Sequence, residues 1–169
     1  MKRIVLTLGI IAGIIVSAML FISFIDGTVE FERGKVVGYL TMIIALSTIF
    51  FGIKTYRDKH LNGIIKFGKA FKMGLYISLI ASTMYVASWF IIINTTGKSF
   101  MEDYHNYSIE QLEKSDLSKE EIELKIQEMK DFQELYKNPV IMAGVTYLEI
   151  LPIGIIIALL SATILKRKS

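Results

Sequence analysis

A single carboxylate, Glu149, interrupts the long apolar run from Val140 to Leu165. On a helix it would lie roughly 13 Å from the start of that run, because each residue adds about 1.5 Å. If the run crosses a bilayer, a charged side chain at that depth is costly. We expect desolvation to favour the neutral acid, since no Lys, Arg or His lies within the apolar runs as a counter-ion. The chemistry that this residue offers is proton or cation binding, or a strong hydrogen bond.

Polar residues in the other apolar runs could satisfy this carboxyl group. The same depth count brings Ser82, Thr83 and Ser47 close to Glu149. Pro152 adds local polarity, because it has no N–H to donate to the carbonyl one turn earlier. In a structural interpretation, a protonated Glu149 is hydrogen-bonded across a helix bundle. In a functional interpretation, it is a proton or cation site on a water-filled path.

Four apolar runs are long enough to cross a membrane, which takes about 20 helical residues. They cover about residues 4–25, 36–53, 73–93 and 140–165 of the 169-residue chain. The first run could instead be a signal peptide, but it continues past the loosely cleavable Val16-Ser17-Ala18. We therefore predict an all-α integral membrane bundle of four transmembrane helices, with residues 1–169 in a single domain.

Basic residues are concentrated on one side of the predicted membrane. The N-terminus, the loop between the second and third runs and the C-terminus, including Lys168, carry eleven Lys or Arg against one acid, Asp58. The loop after the first run is more acidic, with Asp26, Glu30 and Glu32 against Arg33 and Lys35. Since cytoplasmic loops are enriched in Lys and Arg, both termini are predicted inside, in the cytoplasmic membrane of a bacterium.

The segment 94–139, between the third and fourth runs, is predicted to be a helical insert outside the cytoplasm. Ser118 and Glu121 match a capping box that starts a helix from about Lys119 to Lys137. Ser108-Ile109-Glu110-Gln111 offers a weaker start for a shorter helix before it. The longer helix has an apolar face formed by Ile122, Ile126, Met129, Phe132 and Tyr136. This face either packs on the mouth of the bundle or contacts a partner, such as a second copy of the chain.

Six basic residues of the inner loop are candidate contacts for anionic lipid headgroups: Lys54, Arg57, Lys59, Lys66, Lys69 and Lys72. They alternate with apolar side chains, as in segments that lie at a membrane surface. Alternatively, the loop only fixes topology, or it recognises a specific lipid or a nucleotide. No nucleic-acid-binding fold surrounds it, so membrane lipids rather than nucleic acid are the expected partners.

Small residues at four-residue spacing predict close contacts between helices. They are Gly9 and Gly13 in the first run, Gly34 and Gly38 before and within the second, and Gly154 in the fourth. Such spacings let helix backbones approach closely. Packing within one chain is the default interpretation, and a homodimer is the alternative.

The sequence lacks the common signatures of catalysis. There is no cysteine, and therefore no disulfide, thiolate metal site or cysteine nucleophile. There is also no Gly-rich phosphate loop, His-Glu-x-x-His or Gly-x-Ser-x-Gly. We therefore predict no cofactor, no metal and no enzymatic activity.

Two motif regions resemble a known family. They are Tyr56-Arg57-Asp58, Asn62-Gly63 and Phe67-Gly68-Lys69-Ala70-Phe71-Lys72-x-Gly74, and then Asn138-Pro139, Ala143-Gly144 and Glu149-Ile150-x-Pro152-x-Gly154. This pattern resembles the uncharacterised bacterial membrane proteins catalogued as domain of unknown function 4199, which are typical of Bacteroidota. The resemblance implies four spans with an extracytoplasmic loop between the third and fourth. It implies no activity.

Two functions are compatible with these features. The first is a non-enzymatic inner-membrane scaffold or accessory subunit that docks partners through its outer helical loop. The alternative is a small proton- or cation-coupled transporter that uses the membrane-buried Glu149.

Overall fold

A computed structural model describes residues 1–25, 31–95 and 99–167. Within these ranges it has helices and no strands: α1 Lys2–Ile25, α2 Phe31–Leu46, α3 Thr48–His60, α4 Phe67–Asn94, α5 Phe100–Glu113, α6 Lys119–Tyr136 and α7 Pro139–Leu165. The prediction of an all-α protein is confirmed. Asp26, Glu30 and Lys168, which entered the orientation argument, lie outside the described residues.

Several helices are long and apolar enough to cross a membrane, as predicted. By length and composition the candidate spans are Lys2–Phe24, Phe31–His60, Phe67–Asn94 and Pro139–Leu165. All four of these helical stretches begin before the corresponding apolar run. For example, α4 already starts at Phe67, within the basic segment that precedes residue 73. In the first three stretches the helical backbone therefore carries charged residues outside the apolar run.

The second candidate span has a local irregularity at Ser47, between α2 and α3. The Ser47 hydroxyl donates to the carbonyl of Ile44 over 2.6 Å, and the Thr48 hydroxyl donates to that of Ala45 over 2.8 Å. Hydroxyl groups that bond to carbonyls of the preceding turn compete with the helical hydrogen bonds and often bend the helix. As a result, α2 and α3 are two helical segments within one long stretch.

Small residues place α4 close to both α1 and α7. A Cβ atom at Gly9 would lie 2.8 Å from Cβ of Ile80, and one at Gly154 would lie 2.7 Å from Cβ of Ser78. A Cβ atom at Gly13 would clash with Met84 in the same way. Such distances are too short for a real side chain, so α1, α4 and α7 form the tightly packed part of the bundle.

The close packing predicted within the chain is wrong for Gly34 and Gly38 of α2. A Cβ atom at either position would meet no atom of the described residues within 4 Å. The reason is that this end of α2 borders an open cavity, and both glycines line it. The four-residue spacing therefore does not mark a helix contact within the chain here.

Helices α5 and α6 cover one end of the bundle. The ring of Phe100 lies 5.3 Å from that of Phe24 and 5.2 Å from that of Trp89, measured between centroids. The rings of Tyr104 and Tyr107 lie 5.5 and 4.9 Å from that of Phe31. These contacts fix α5 to α1, α2 and α4 through aromatic packing.

Helix α5 is longer than the sequence indicated, whereas α6 starts as predicted. Ser108 lies inside α5, where its hydroxyl donates to the carbonyl of Tyr104 over 2.7 Å, so the predicted helix start at Ser108 is wrong. Aromatic contacts of Phe100 and Tyr104 explain the earlier start. The capping box of α6 is confirmed, because Glu121 N–H donates to the Ser118 hydroxyl and Ser118 N–H donates to the Glu121 carboxylate.

The opposite end of the bundle is held by Arg57. Its guanidinium donates to the Asp58 carboxylate over 2.7 Å and to the carbonyl of Leu165, at the end of α7, over 3.4 Å. Arg57 is only 8% exposed, so its prediction as a lipid-headgroup contact is wrong. The other five predicted contacts, Lys54, Lys59, Lys66, Lys69 and Lys72, are exposed.

Candidate functional site

Glu149 and Tyr85 meet at similar depths on neighbouring helices. Glu149 lies about 15 Å along α7 from Pro139, and Tyr85 lies about 14 Å before the end of α4 at Asn94, at 1.5 Å per residue. Both helix ends lie next to α5 and α6. The Tyr85 hydroxyl donates to Oε2 of Glu149 over 3.3 Å. Tyr85 is 7% exposed, so the phenol is held in place by the packing of α4.

The three hydroxyl residues predicted to satisfy Glu149 bond elsewhere or not at all. Ser82 is fully buried, and its hydroxyl has no hydrogen-bond partner in the part of the chain that the structure describes. Thr83 is exposed and pairs with the Tyr147 hydroxyl over 2.8 Å, and Ser47 bonds within α2. None of these three hydroxyl groups bonds to the carboxyl group of Glu149 in the structure, so the prediction that they hold it is wrong.

The structure also differs from the predicted site at Pro152 and Tyr85. Pro152 lies inside α7 and is exposed, so it does not reach the interior with Glu149. Tyr85 was not among the predicted site residues. In the sequence, Tyr85 could be recognised by its hydroxyl group at a depth close to that of Glu149, whereas the predicted partners are serine and threonine residues only. The longer phenol reaches across the helix interface.

Glu149 lines a cavity of about 380 Å³. The cavity lies between α1, α2, α4 and α7, and residues of α5 and α6 cover its end. Its volume falls within the range of about 300–1,000 Å³ usual for small-molecule sites. Nine of its lining residues are aromatic: Phe24, Phe31, Tyr39, Tyr85, Trp89, Phe100, Tyr104, Phe132 and Tyr136. We call this space the inner cavity.

Glu149 is the one carboxylate among the described residues that line the inner cavity. Ser23 and Thr41 also line it, but their hydroxyl groups donate to carbonyls of their own helices over 2.9 and 2.8 Å. Glu149 retains exposed surface, so its carboxyl group is not sealed by side-chain packing. The arrangement provides one carboxylate in a space whose lining is mostly aromatic and aliphatic.

A second, larger cavity lies between α5, α6 and the start of α2. It has a volume of about 690 Å³, and we call it the vestibule. Its lining is more polar and includes Glu32, Lys125, Glu128 and His105. The two cavities share four lining residues, Lys35, Met101, Tyr104 and Phe132. The vestibule and the inner cavity are therefore adjacent, and these four side chains lie at their boundary.

Tyr136 of α6 closes the inner cavity beside Trp89. The indole Nε1–H of Trp89 donates to the Tyr136 hydroxyl over 2.8 Å, and Tyr136 is 8% exposed. Burial raises the pKa of the Tyr136 phenol above its usual value, so the phenol stays neutral at neutral pH. The buried hydrogen bond therefore ties α6 to α4 at the end of the cavity.

Comparison with known protein families identifies the family of this chain. A family model described as "Protein of unknown function (DUF4199)" matches residues 7–167, which is nearly the whole chain. No curated protein and no solved structure matches the chain. The resemblance of the two motif regions to this family is confirmed.

Proposed function

Because the chain belongs to this family of unknown function, we propose from the geometry of the inner cavity that it is a small membrane transport protein that binds a proton or cation at Glu149. The observation that carries the proposal is the inner cavity itself, which reaches the carboxyl group from the side covered by α5 and α6. Ionisable groups within membrane helices commonly mark ion or proton pathways.

The hydrogen bonding of Glu149 supports this function over a purely structural role. A structural role requires a carboxyl group that is satisfied by bonds across the bundle. The bond found for it is the one from Tyr85, at 3.3 Å, although a carboxylate can accept about four hydrogen bonds. The remaining capacity of Glu149 is therefore available to a proton, a cation or water in the cavity.

The proposed topology has four spans, with both termini in the bacterial cytoplasm and α5 and α6 outside. It is supported by the eleven basic residues of the termini and the inner loop. In this arrangement the vestibule opens to the extracytoplasmic side. A substrate would then reach Glu149 from outside the cell.

A second candidate function is a scaffold that docks partners on α6. Its predicted apolar face is largely covered, because Tyr136 is buried and Ile122, Ile126 and Met129 are half-buried, but Phe132 of that face is 46% exposed. Leu124 and Leu135 of α6 remain 62% and 55% exposed, and they support the scaffold hypothesis. Replacing both with lysine should abolish crosslinks to a partner if the scaffold function is correct. Unchanged crosslinks would contradict it.

Flux measurements test the transport function. Liposomes containing the full chain are given a pH gradient, and proton and monovalent-cation fluxes are recorded. Glu149→Gln keeps the shape of the side chain but cannot ionise, so we expect flux to fall at least tenfold. Glu123→Gln changes an exposed carboxylate of α6 and should retain wild-type flux. Equal flux from wild type and Glu149→Gln would overturn the proposal.

A further inference from the structure

We propose that the inner cavity binds an organic cation, whose ammonium group contacts Glu149 and whose apolar body packs against the aromatic walls. This inference rests on the proposed function and specifies the chemical class of its substrate. It follows from the charge of the site, the aromatic lining and the acidity of the covering segment.

The carboxyl group of Glu149 has no cationic partner at its own depth among the described residues. Lys35, the one cationic residue that lines the inner cavity in the described ranges, lies about 6 Å along α2, whereas Glu149 lies about 15 Å along α7. Both helices start at the end covered by α5 and α6. Lys35 is also a lining residue of the vestibule, which places it at the boundary. A positive charge next to an ionised Glu149 would therefore come from a ligand.

The aromatic walls suit a cation that carries an apolar group. Faces of aromatic rings attract ammonium groups, and Trp and Tyr do so best. The protein already uses this contact at the boundary, where Nζ of Lys35 lies 5.7 Å from the centroid of the Tyr104 ring. Tyr39, Tyr85 and Trp89 also line the inner cavity and provide further aromatic rings. A small inorganic ion would leave most of this apolar lining unused.

The segment that covers the cavity has the charge needed to attract cations. Residues 94–139 contain eleven Asp or Glu and six Lys, a difference of five negative charges. Clustered charges of one sign raise the local concentration of oppositely charged ligands and their association rates. The covering helices therefore favour access of cations to the vestibule over access of anions.

The single tryptophan of the chain reports on occupancy, because Trp89 lines the inner cavity. The purified full chain in detergent is titrated with benzyltrimethylammonium and, separately, with neopentylbenzene, its uncharged isostere. We expect a saturable change in tryptophan emission with the cation, and at least tenfold weaker binding of the isostere. This comparison uses the wild-type protein and does not depend on the folding of a variant.

Variants then locate the charge contact. Glu149→Gln should weaken binding of the cation at least tenfold and leave binding of the isostere unchanged, whereas Glu123→Gln should bind both as wild type does. Equal binding of cation and isostere, or cation binding unaffected by Glu149→Gln, would overturn the inference. If the cation does not bind but Glu149-dependent flux is observed, the inference fails and the transport function stands. If the cation binds but no flux occurs, transport fails and the binding site stands.

Discussion

Tyr85 of α4 donates its hydroxyl hydrogen bond to Glu149 of α7 over 3.3 Å, at the wall of the inner cavity. The distance is long for an O–H···O bond, which is usually about 2.7–2.8 Å. The carboxyl group is thus oriented by the phenol without being saturated by it. This combination of a fixed position and spare acceptor capacity is what a binding site requires, and it is the basis of the proposed function.

The bond between Trp89 and Tyr136 should stabilise the covering helices. Tyr136→Phe removes the acceptor and leaves a buried indole N–H without a partner, so we expect a loss of about 1–3 kcal/mol in the free energy of unfolding. Unfolding followed by the emission of Trp89 measures this loss directly. Tyr147→Phe removes an exposed hydroxyl and serves as the control, with little expected change. Equal stability of Tyr136→Phe and wild type would show that α6 is held by other contacts.

Substitution by alanine should have opposite effects on stability at a closely packed glycine and at a glycine that borders the inner cavity. In Gly154→Ala the new Cβ atom would overlap Ser78, so we expect α7 to move from α4 at a cost of about 1–3 kcal/mol. Gly38→Ala places its Cβ atom in open space, and we expect a change between zero and about 1 kcal/mol in favour of folding, because alanine is the better helix former. Thermal unfolding in detergent measures both variants. A destabilised Gly38→Ala would contradict the placement of α2.

Arg57 should contribute to stability more than its lysine neighbours do. Arg57→Gln removes the ion pair with Asp58 and the bond to the carbonyl of Leu165, for which we expect a loss of about 1–3 kcal/mol. Lys54→Gln changes an exposed residue of the same helix, and a change within about 0.5 kcal/mol is expected. Chemical denaturation of both variants measures the two losses in the free energy of unfolding. Similar losses would mean that net charge, rather than the contact with α7, matters at this end.

The start of α6 should weaken in acid. Hydrogen bonds from the backbone N–H and the hydroxyl of Ser118 hold the pKa of the Glu121 carboxyl below its usual value of about 4.3. A lowered pKa in the folded state gives stability that is present above the unfolded pKa and lost as pH falls through the folded one. Amide hydrogen exchange of residues 119–123, corrected for intrinsic rates, should therefore show protection falling below about pH 4.

Glu121→Gln removes the titrating group and should flatten this pH dependence, while Glu123→Gln should keep it. Ser118→Ala should lower the stability of the helix start by about 0.5–2 kcal/mol, the usual cost of losing an N-cap. Identical pH profiles for wild type and Glu121→Gln would contradict the role assigned to the capping box.

Local signals in the sequence predicted what depends on local chemistry. The apolar runs indicated the long helices, and Ser118 and Glu121 marked the start of α6, because a capping box involves only one turn. Glu149 was identified because it interrupts an apolar run. The partner of Glu149, the open space at Gly34 and Gly38 and the burial of Arg57 were not predicted. Each depends on how helices distant in sequence approach one another, and a depth count along one helix carries no information about which side faces which neighbour.

The accessibility of position 149 to water tests the central claim most directly, and the absence of cysteine allows a clean measurement. Single cysteines are introduced by Glu149→Cys, Ser82→Cys and His105→Cys, and membrane vesicles are treated with a membrane-impermeant thiol reagent. We expect positions 149 and 105 to react from the same side and position 82 to stay unlabelled, because Ser82 is fully buried whereas Glu149 lines the inner cavity. If position 105 reacts and position 149 does not, the cavity is closed to water, and the proposed transport through it is contradicted.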